Sequence, residues 1–208
     1  MLRQPQKQIA NREKNISRIK EAAEYVFAEH GYFGASFSLI AKQAKLPKSN
    51  IIYYFTNKET LYRAVVEDIF DIWRSAADSI KKDNDPSTAI AEYIDTKLEM
   101  ARNRPFGSKV WANEVIQGAP IVQDYMEDEL HRWTNDRMVV IQHWIDSGKL
   151  RATSARHLLY LIWAGTQHYA DFQHQIETLN DNHPLTDEQW QETKYFLKDI
   201  ILRGICVE

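Results

Sequence analysis

Apolar residues recur at steps of three and four along almost the whole chain, with polar side chains between them. This spacing places the apolar residues on one face of an α-helix. No run alternates polar residues with valine or isoleucine in the way that predicts a strand. We therefore predict an all-α fold of about nine helices, two of them short and within residues 36–55, and the others at about 15–30, 58–81, 87–103, 106–117, 121–147, 155–175 and 187–204.

Residues 36–58 (SFSLIAKQAKLPKSNIIYYFTNK) contain the most informative pattern in the chain. Ser36 can cap the N-terminus of a first helix, whose apolar face consists of Phe37, Ile40, Ala41 and Ala44. Pro47 suits the first turn of a second helix, which would carry three apolar residues inward, namely Ile51, Ile52 and Phe55. Two helices joined by so short a turn form a helix-turn-helix, whose second helix can enter the major groove of DNA.

Charge is distributed unevenly along the chain. Residues 1–58 contain ten Lys and Arg against four Glu, a net charge of +6, whereas the remainder contains sixteen basic and twenty-five acidic residues, a net charge of −9. No carboxylate occurs from residue 30 to residue 58. Because a carboxylate opposes every phosphate contact nearby, an acid-free basic segment favours DNA binding over a merely solvated basic surface.

The start of the chain is polar and basic, and we predict an arm without fixed structure at residues 1–14. Such an arm can contact DNA, or it can be a tail without a role. The first residues lack the apolar segment of a signal peptide, and no apolar run is long enough to span a membrane. The single Cys206 excludes an internal disulfide and suits a reducing compartment. These features predict a cytoplasmic protein.

The segment from Ile19 to Leu61 resembles the N-terminal domain of the TetR family of transcriptional regulators. Lys45 stands where glycine is usual in the turn, so we predict a positive φ there, and Pro47 stands where serine often caps the second helix. The resemblance implies a DNA-binding domain at 1–58 and a ligand-binding and dimerisation domain at 59–208. It rests on Ala23, Phe27, Gly31, Ile40, Ala41, Ala44, Tyr53, Phe55 and the Asn57-Lys58-Glu59 cap.

The resemblance also implies which side chains contact DNA. In the groove, a lysine can donate to guanine and an asparagine can pair with adenine. Packing in the core is the alternative for the two tyrosines of the second helix. The residues implied are the phosphate contacts Ser36, Tyr53 and Lys58, the groove-facing Lys48, Ser49 and Asn50, and the neighbouring Pro47, Tyr54 and Thr56.

Farther along, four segments resemble the branch of this family that regulates pyrimidine catabolism, the RutR-like repressors. The resemblance implies an effector that is a pyrimidine base such as uracil or thymine, and it implies a repressor that the effector releases from DNA. The segments are KLEMARNRP (97–105), NEVIQGAP (113–120), IDSGKL (145–150) and IWAGTQHYADF (162–172).

A pyrimidine base is flat and carries imide N–H donors beside carbonyl acceptors, so its site needs a flat wall and a group that both donates and accepts. Gln167 offers such an amide, and Trp73 offers a stacking wall. A satisfied interface amide is the alternative for Gln167. Further candidates are the aromatic Trp111, His168 and Tyr169, and the weaker Lys97 and Glu114, for which an ordinary surface ion pair is the alternative.

The last two long helices, near 155–175 and 187–204, carry apolar residues on more than one side, which exceeds what one neighbouring helix can cover. The resemblance implies that they form a homodimer interface, so that two heads bind a near-palindromic double-stranded DNA operator. No catalytic or metal-binding motif occurs, and we predict no cofactor. Two rival hypotheses are a TetR-type regulator of another, apolar effector and an enzyme acting on a small nitrogenous substrate.

Overall fold

The computed structural model describes residues 4–207, and it describes side chains from residue 9 onward. No strand occurs within this range beyond one isolated bridge between Leu150 and Cys206, which confirms the predicted all-α fold. The helices are α1 Gln4–Gly34, α2 Phe37–Ala44, α3 Lys48–Tyr54, α4 Lys58–Ala76, α5 Pro86–Asn103, α6 Pro105–Ile116, α7 Gln123–Tyr125, α8 His131–Asp146, α9 Ala155–Asp171, α10 Gln173–Leu179 and α11 Asp187–Ile205.

Helix α1 begins much earlier than predicted. Residues 4–14, expected to form an arm without fixed structure, are helical, and residues 1–3 lie outside the described range. The segment is rich in Gln, Lys, Ala, Arg and Glu, which are all good helix formers, and Pro5 is tolerated in a first turn. The first predicted helix, at about 15–30, ends as expected, because the next residue, Gly31, leaves helical geometry with φ 65° and ψ 175°.

The turn between α2 and α3 adopts the conformation that the sequence predicted. Lys45 lies in the left-handed region with φ 52° and ψ 45°. The N–H groups of Lys45 and Leu46 donate to the last carbonyls of α2, those of Lys42 (3.2 Å) and Ala41 (3.1 Å). The turn therefore closes the helix as a glycine would, at the conformational cost of placing a side chain at positive φ.

Helix α4 ends at Ala76, five residues before the predicted end. A 3₁₀ turn, Ala77–Ser79, follows it. The carbonyl of Ile80 accepts a hydrogen bond from Arg137 (3.1 Å), and that of Lys82 accepts one from the Trp144 indole (3.1 Å). These side chains satisfy two carbonyls of the segment that follows the 3₁₀ turn, so this segment needs no helical hydrogen bonds at those positions.

Two of the later predicted helices are interrupted. The segment predicted as one helix at 121–147 contains a π-helical turn, Met126–Leu130, between α7 and α8. The segment predicted at 155–175 breaks at Phe172, whose φ of −111° and ψ of 28° separate α9 from α10. Both interruptions lie within runs of residues with ordinary helical spacing.

The described chain divides into two compact units. The first contains the residues up to Phe70 together with Lys109–Val122, and the second contains Asp71–Ser108 together with the residues from Gln123 onward. The predicted domain boundary between residues 58 and 59 stays a prediction about independently folding parts.

The second unit has an apolar core drawn mainly from α5, α8, α9 and α11. Its largest buried side chains are Trp144 and Tyr93, and the Trp144 indole is fully enclosed. On the rim of this core, Gly165 of α9 lies so close to Leu197 of α11 that an added Cβ would touch it at 3.4 Å. Among the described residues, no helix is long and apolar enough to cross a membrane.

Candidate DNA-binding surface and effector site

The start of helix α3 presents polar side chains to solvent. Lys48 and Ser49 are exposed, Asn50 is half-buried, and Ile51 is fully buried beneath them. Ile51 of α3 and Phe55, the residue that follows the helix, are both buried, whereas Lys48, Ser49 and Tyr53 are exposed, so that side of α3 is accessible to a partner. The three predicted groove-facing residues therefore occupy an accessible helix end.

The two tyrosines of α3 differ in their surroundings. Tyr53 is 79% exposed, so it is not a core residue. Tyr54 is half-buried, and its hydroxyl accepts a long hydrogen bond (3.5 Å) from the Asn15 amide of α1. Their rings contact each other edge to face at 5.0 Å. Tyr53 is thus free to contact DNA, whereas Tyr54 also braces α3 against α1.

Ile52 was predicted to point inward, and this prediction is wrong. Its side chain is 51% exposed. Successive residues of a helix are rotated by about 100°, so the burial of Ile51 turns Ile52 away from the core. The exposed face of α3 is therefore more apolar than the sequence suggested.

The two predicted cap positions behave differently. The Ser36 hydroxyl accepts a hydrogen bond from the Leu39 N–H (3.3 Å), which confirms Ser36 as the cap of α2. Pro47 is the residue before α3 rather than part of its first turn, and it makes no side-chain cap. The N-terminus of α3 therefore has no side-chain acceptor from its own cap residue, which leaves backbone donors there for other partners.

Lys58 has a structural role that the sequence did not reveal. Its ammonium donates to the carbonyls of Tyr32 (2.7 Å), Ala35 (3.1 Å) and Phe33 (3.5 Å), and it lies 4.5 Å from the centre of the Tyr32 ring. These bonds hold in place the backbone that follows the kink at Gly31. A phosphate contact by Lys58 stays a prediction, and such a contact has to share or break these bonds.

Two of the predicted effector residues, Trp111 and Glu114, lie in the first unit. The Trp111 ring is nearly buried and stacks on Phe70 with centroids 6.3 Å apart. Glu114 is 3% exposed, so the alternative of a surface ion pair is wrong for it. Its carboxylate accepts from the Tyr62 hydroxyl (2.8 Å) and from the N–H groups of Ile121 (2.7 Å) and Val122 (3.1 Å).

The bonds to Glu114 fix a loop to a helix. They tie the chain after α6 to α4 within the first unit, and burial together with the Glu114 hydrogen bond raises the pKa of Tyr62 well above its ordinary value. Three donors converge on one carboxylate, which is the arrangement of a structural anchor.

In the second unit, Lys97 and Trp73 form a buried pair. Lys97 of α5 is 3% exposed, so a surface ion pair is wrong here as well. Its ammonium lies 4.0 Å from the centre of the half-buried Trp73 ring. Within the described residues it makes no hydrogen bond and no ion pair. Burial lowers its pKa to about 7, against the opposing attraction of Asp171.

Helix α9 presents one face to α5 beside this pair. The Trp163 indole donates to the Tyr93 hydroxyl (2.8 Å), and Asp171 acts electrostatically on Lys97 while accepting from the Ser108 hydroxyl (2.5 Å). Gln167 lies between Trp163 and Asp171 at four-residue steps, so it occupies the same face. It is half-buried, and its amide has no hydrogen bond in the part of the chain that the structure describes.

The other two candidates of α9 lie elsewhere. His168 is exposed and stacks on Phe172 with ring centres 5.0 Å apart. Tyr169 lies 5.7 Å from the Trp190 ring and lines a separate cleft of about 210 Å³, with Arg102 and Glu177 among the other lining residues. The structure therefore pairs Trp73 with Lys97 and places Gln167 on the face of α9 that carries Asp171, whereas His168 and Tyr169 contact other aromatic rings.

Comparison with known families decides the class of the protein. A family model described as "Bacterial regulatory proteins, tetR family" matches residues 19–65, and one described as "YcdC-like protein, C-terminal region" matches residues 66–208. The chain belongs to the TetR family of bacterial transcriptional regulators. As a TetR regulator it is not an enzyme.

Individual relatives agree with this assignment. The HTH-type transcriptional regulator RutR of Escherichia coli K12 is 36% identical over 187 residues, which cover 90% of this chain and 88% of RutR. Among solved structures, a TetR family regulator from Marinobacter aquaeolei VT8 matches with a TM-score of 0.70 at 18% identity, covering 97% of this chain and all of that one. PfmR from Thermus thermophilus matches with a TM-score of 0.69 at 17% identity, covering 92% and 96% of the two chains.

The RutR homology supports the branch that the sequence segments indicated, and the structural matches support the TetR fold. The sequence analysis did not identify Ser108 or Asp171 as candidate effector residues, and it gave Lys97 only as a weaker candidate. Asp171 stands one turn after Gln167, so helical spacing alone could have found it. No such signal existed for Ser108, which precedes it by 63 residues.

Proposed function

We propose that this TetR regulator is a repressor whose operator binding is released by a pyrimidine base. The observation that carries the effector proposal is the Gln167 amide on the α5-facing side of α9, which has no hydrogen bond to any described residue. A half-buried amide without a partner loses hydrogen bonds to water, so its presence favours a ligand that both donates and accepts. The Trp73 ring in the same unit supplies the flat wall.

The DNA-binding part of the proposal rests on α3 and its surroundings. Lys48, Ser49 and Asn50 are accessible at the start of the helix, Tyr53 is exposed farther along, and no carboxylate occurs between residues 30 and 58. We assign the first three residues to base edges in the major groove and Tyr53 to a phosphate. Ser36 is a further phosphate contact, because its hydroxyl can donate while it caps α2.

The homodimer is part of the same proposal. Large apolar side chains of α9 and α11 are about half exposed or more in the single chain, and a second copy would cover them. A two-fold dimer also explains how two α3 helices bind a near-palindromic operator. The exposed residues are Tyr160 and Leu161 of α9, and Tyr195, Phe196 and Ile200 of α11.

The proposed mechanism is a shift between two populations of the dimer. The base binds more tightly to the conformation whose two heads are wrongly spaced for the operator. It can move the equilibrium only by its difference in affinity for the two states, and an effect of 5- to 150-fold on operator affinity, about 1–3 kcal/mol, is typical of such coupling.

An apolar effector is the rival within the family. The polar groups of the second unit argue against a wholly apolar ligand, because such a ligand would leave both Lys97 and Gln167 without a hydrogen bond. The rival predicts that a fatty acid or a hydrophobic drug raises the melting temperature while uracil and thymine do not.

The test begins with the operator. Duplexes that the protein retains from a random library define the binding sequence, and gel shifts then measure its affinity with and without uracil or thymine. We expect either base to weaken operator binding at least fivefold, with ribose as the inert control. If neither base changes the affinity, the pyrimidine proposal is wrong even though operator binding stands.

A matched pair of glutamine variants tests the assigned amide. Gln167→Ala should abolish the response to uracil while operator binding without effector persists, because α3 is untouched. Gln175→Ala removes an exposed amide of α10 and should respond as the wild type does. A normal response of Gln167→Ala would move base recognition to another residue.

A further inference from the structure

Lys97 is a buried lysine whose ammonium has no hydrogen-bond acceptor among the described residues. Its side chain is 3% exposed, and its only close polar or ring contact among the described residues is the face of Trp73 at 4.0 Å. Burying an ammonium without a hydrogen-bonding partner is costly, and a cation–π contact offsets only part of that cost. Such a side chain can donate hydrogen bonds to a bound ligand without first breaking bonds within the protein.

We propose that Lys97 donates a hydrogen bond to an oxo oxygen of the effector and thereby selects oxo-pyrimidines over amino-pyrimidines. The inference rests on the proposed function and specifies which edge of the base is recognised. A flat ring that shares the Trp73 face brings its edge atoms toward the ammonium, and the cation–π contact is then exchanged for a charge-assisted hydrogen bond. An amino group at that edge would instead point its hydrogens at a cation that has no lone pair.

Gln167 supplies the complementary recognition. It lies on the face of α9 that carries Asp171, the carboxylate that acts electrostatically on Lys97. An amide can pair with an imide by donating and accepting at once, but it can also rotate to suit an amino base. Discrimination between oxo and amino groups therefore comes from Lys97, whose ammonium can only donate.

The charged and titratable groups around Lys97 set its response to pH. Asp171 faces it from α9, Tyr93 precedes it on α5, and the two lysines of α11 nearest to α5 have other partners, since Lys194 pairs with Glu99 and Lys198 with Asp95. Burial lowers the pKa of Lys97 to about 7. At pH 8 the free side chain is therefore mostly neutral, and an oxo acceptor favours its protonated form, so binding takes up a proton.

Isothermal titration calorimetry of the purified full chain tests the proposal, with uracil and cytosine as ligands. At pH 6.5 we expect the wild type to bind uracil at least tenfold more tightly than cytosine. At pH 8, titrations in two buffers of different ionisation enthalpy should show the uptake of most of one proton per uracil. Lys97→Met should bind uracil at least tenfold more weakly, with no proton uptake and with little preference between the two bases.

Two further variants exclude a merely structural effect. Lys97→Gln retains a donor without charge, so it should recover part of the uracil affinity without proton uptake. Lys198→Met removes a lysine that pairs with Asp95 of α5, and it should bind uracil as the wild type does. Uracil affinity within twofold of the wild type in Lys97→Met, or undiminished proton uptake in that variant, would overturn the role of Lys97 alone. Absence of uracil and thymine binding in the wild type would overturn the pyrimidine proposal, and the role of Lys97 with it.

Discussion

Glu114 and Lys97 are both 3% exposed, yet their hydrogen-bond partners within the protein differ completely. Glu114, in the first unit, accepts three hydrogen bonds from the Tyr62 hydroxyl and from two backbone N–H groups. Lys97, in the second unit, has the face of Trp73 and no protein acceptor among the described residues. The Glu114 carboxylate is therefore occupied by hydrogen bonds within the fold, whereas the Lys97 ammonium can still donate hydrogen bonds to a ligand.

The number of hydrogen bonds therefore distinguishes these two charged groups, whereas burial does not. A buried carboxylate that satisfies three donors holds a loop in place and has little capacity left for a ligand. A buried ammonium without an acceptor destabilises the protein until something supplies one. Although both side chains are equally buried, we expect mutation of Glu114 to lower stability strongly and mutation of Lys97 to raise it.

Removing the Glu114 carboxylate should have the largest effect. Glu114→Ala leaves one hydroxyl and two backbone N–H groups buried without an acceptor, and we expect the free energy of unfolding to fall by roughly 3–5 kcal/mol. Urea denaturation followed by circular dichroism measures this change. Glu67→Ala, which removes an exposed carboxylate of α4, is the control and should change stability by less than about 0.5 kcal/mol. A similarly small change for Glu114→Ala would mean that the observed bonds do not anchor the loop.

Removing the Lys97 ammonium should stabilise the protein and change how stability depends on pH. The pKa of Lys97 is about 7 in the folded state and 10.5 ordinarily, so the unfolded chain binds more protons between these values, and this group makes the wild type more stable as pH rises. At pH 7, Lys97→Met should gain roughly 1–4 kcal/mol over the wild type. The gain should shrink steadily toward pH 10. Urea denaturation at several pH values measures it, and a constant difference would contradict the account.

The same contrast between a committed and an available group applies to Lys58 and Tyr53. Lys58→Met removes the ammonium that binds three carbonyls after the Gly31 kink, and it should cost roughly 1–3 kcal/mol of stability. Tyr53→Ala should leave stability within about 0.5 kcal/mol and weaken operator binding about fivefold, the loss of one phosphate contact. Urea denaturation and operator titration distinguish them. A stability loss in Tyr53→Ala as large as that in Lys58→Met would refute the distinction.

The local features of the fold were predictable because their causes are local. Ser36 has the side chain to cap α2, Asn57 accepts from the Thr60 N–H at the start of α4 (2.8 Å), and Lys45 takes the positive φ that the turn requires. Each depends on residues within a few positions. Of these residues only Asn57 was among those that carried the family resemblance, and the comparisons confirm that resemblance.

Features that depend on distant parts of the chain were not predictable from spacing. Ile52 has the apolarity of a core residue, yet no neighbour covers it. Beyond the early end of helix α4, the carbonyls of Ile80 and Lys82 accept hydrogen bonds from Arg137 and Trp144, about 60 residues away. The contact of Trp163 with Tyr93 likewise follows from which face of α9 packs on α5, and the sequence pattern leaves that choice open.

The central claim is that an oxo-pyrimidine is the signal. It is tested most directly by fluorescence anisotropy of a labelled operator duplex titrated with uracil, and in parallel with cytosine, in the presence of saturating wild-type protein at pH 6.5. The account predicts that uracil releases the duplex in a saturable manner and that cytosine requires at least ten times the concentration. If uracil leaves the anisotropy unchanged, or if cytosine releases the duplex equally well, the account is contradicted.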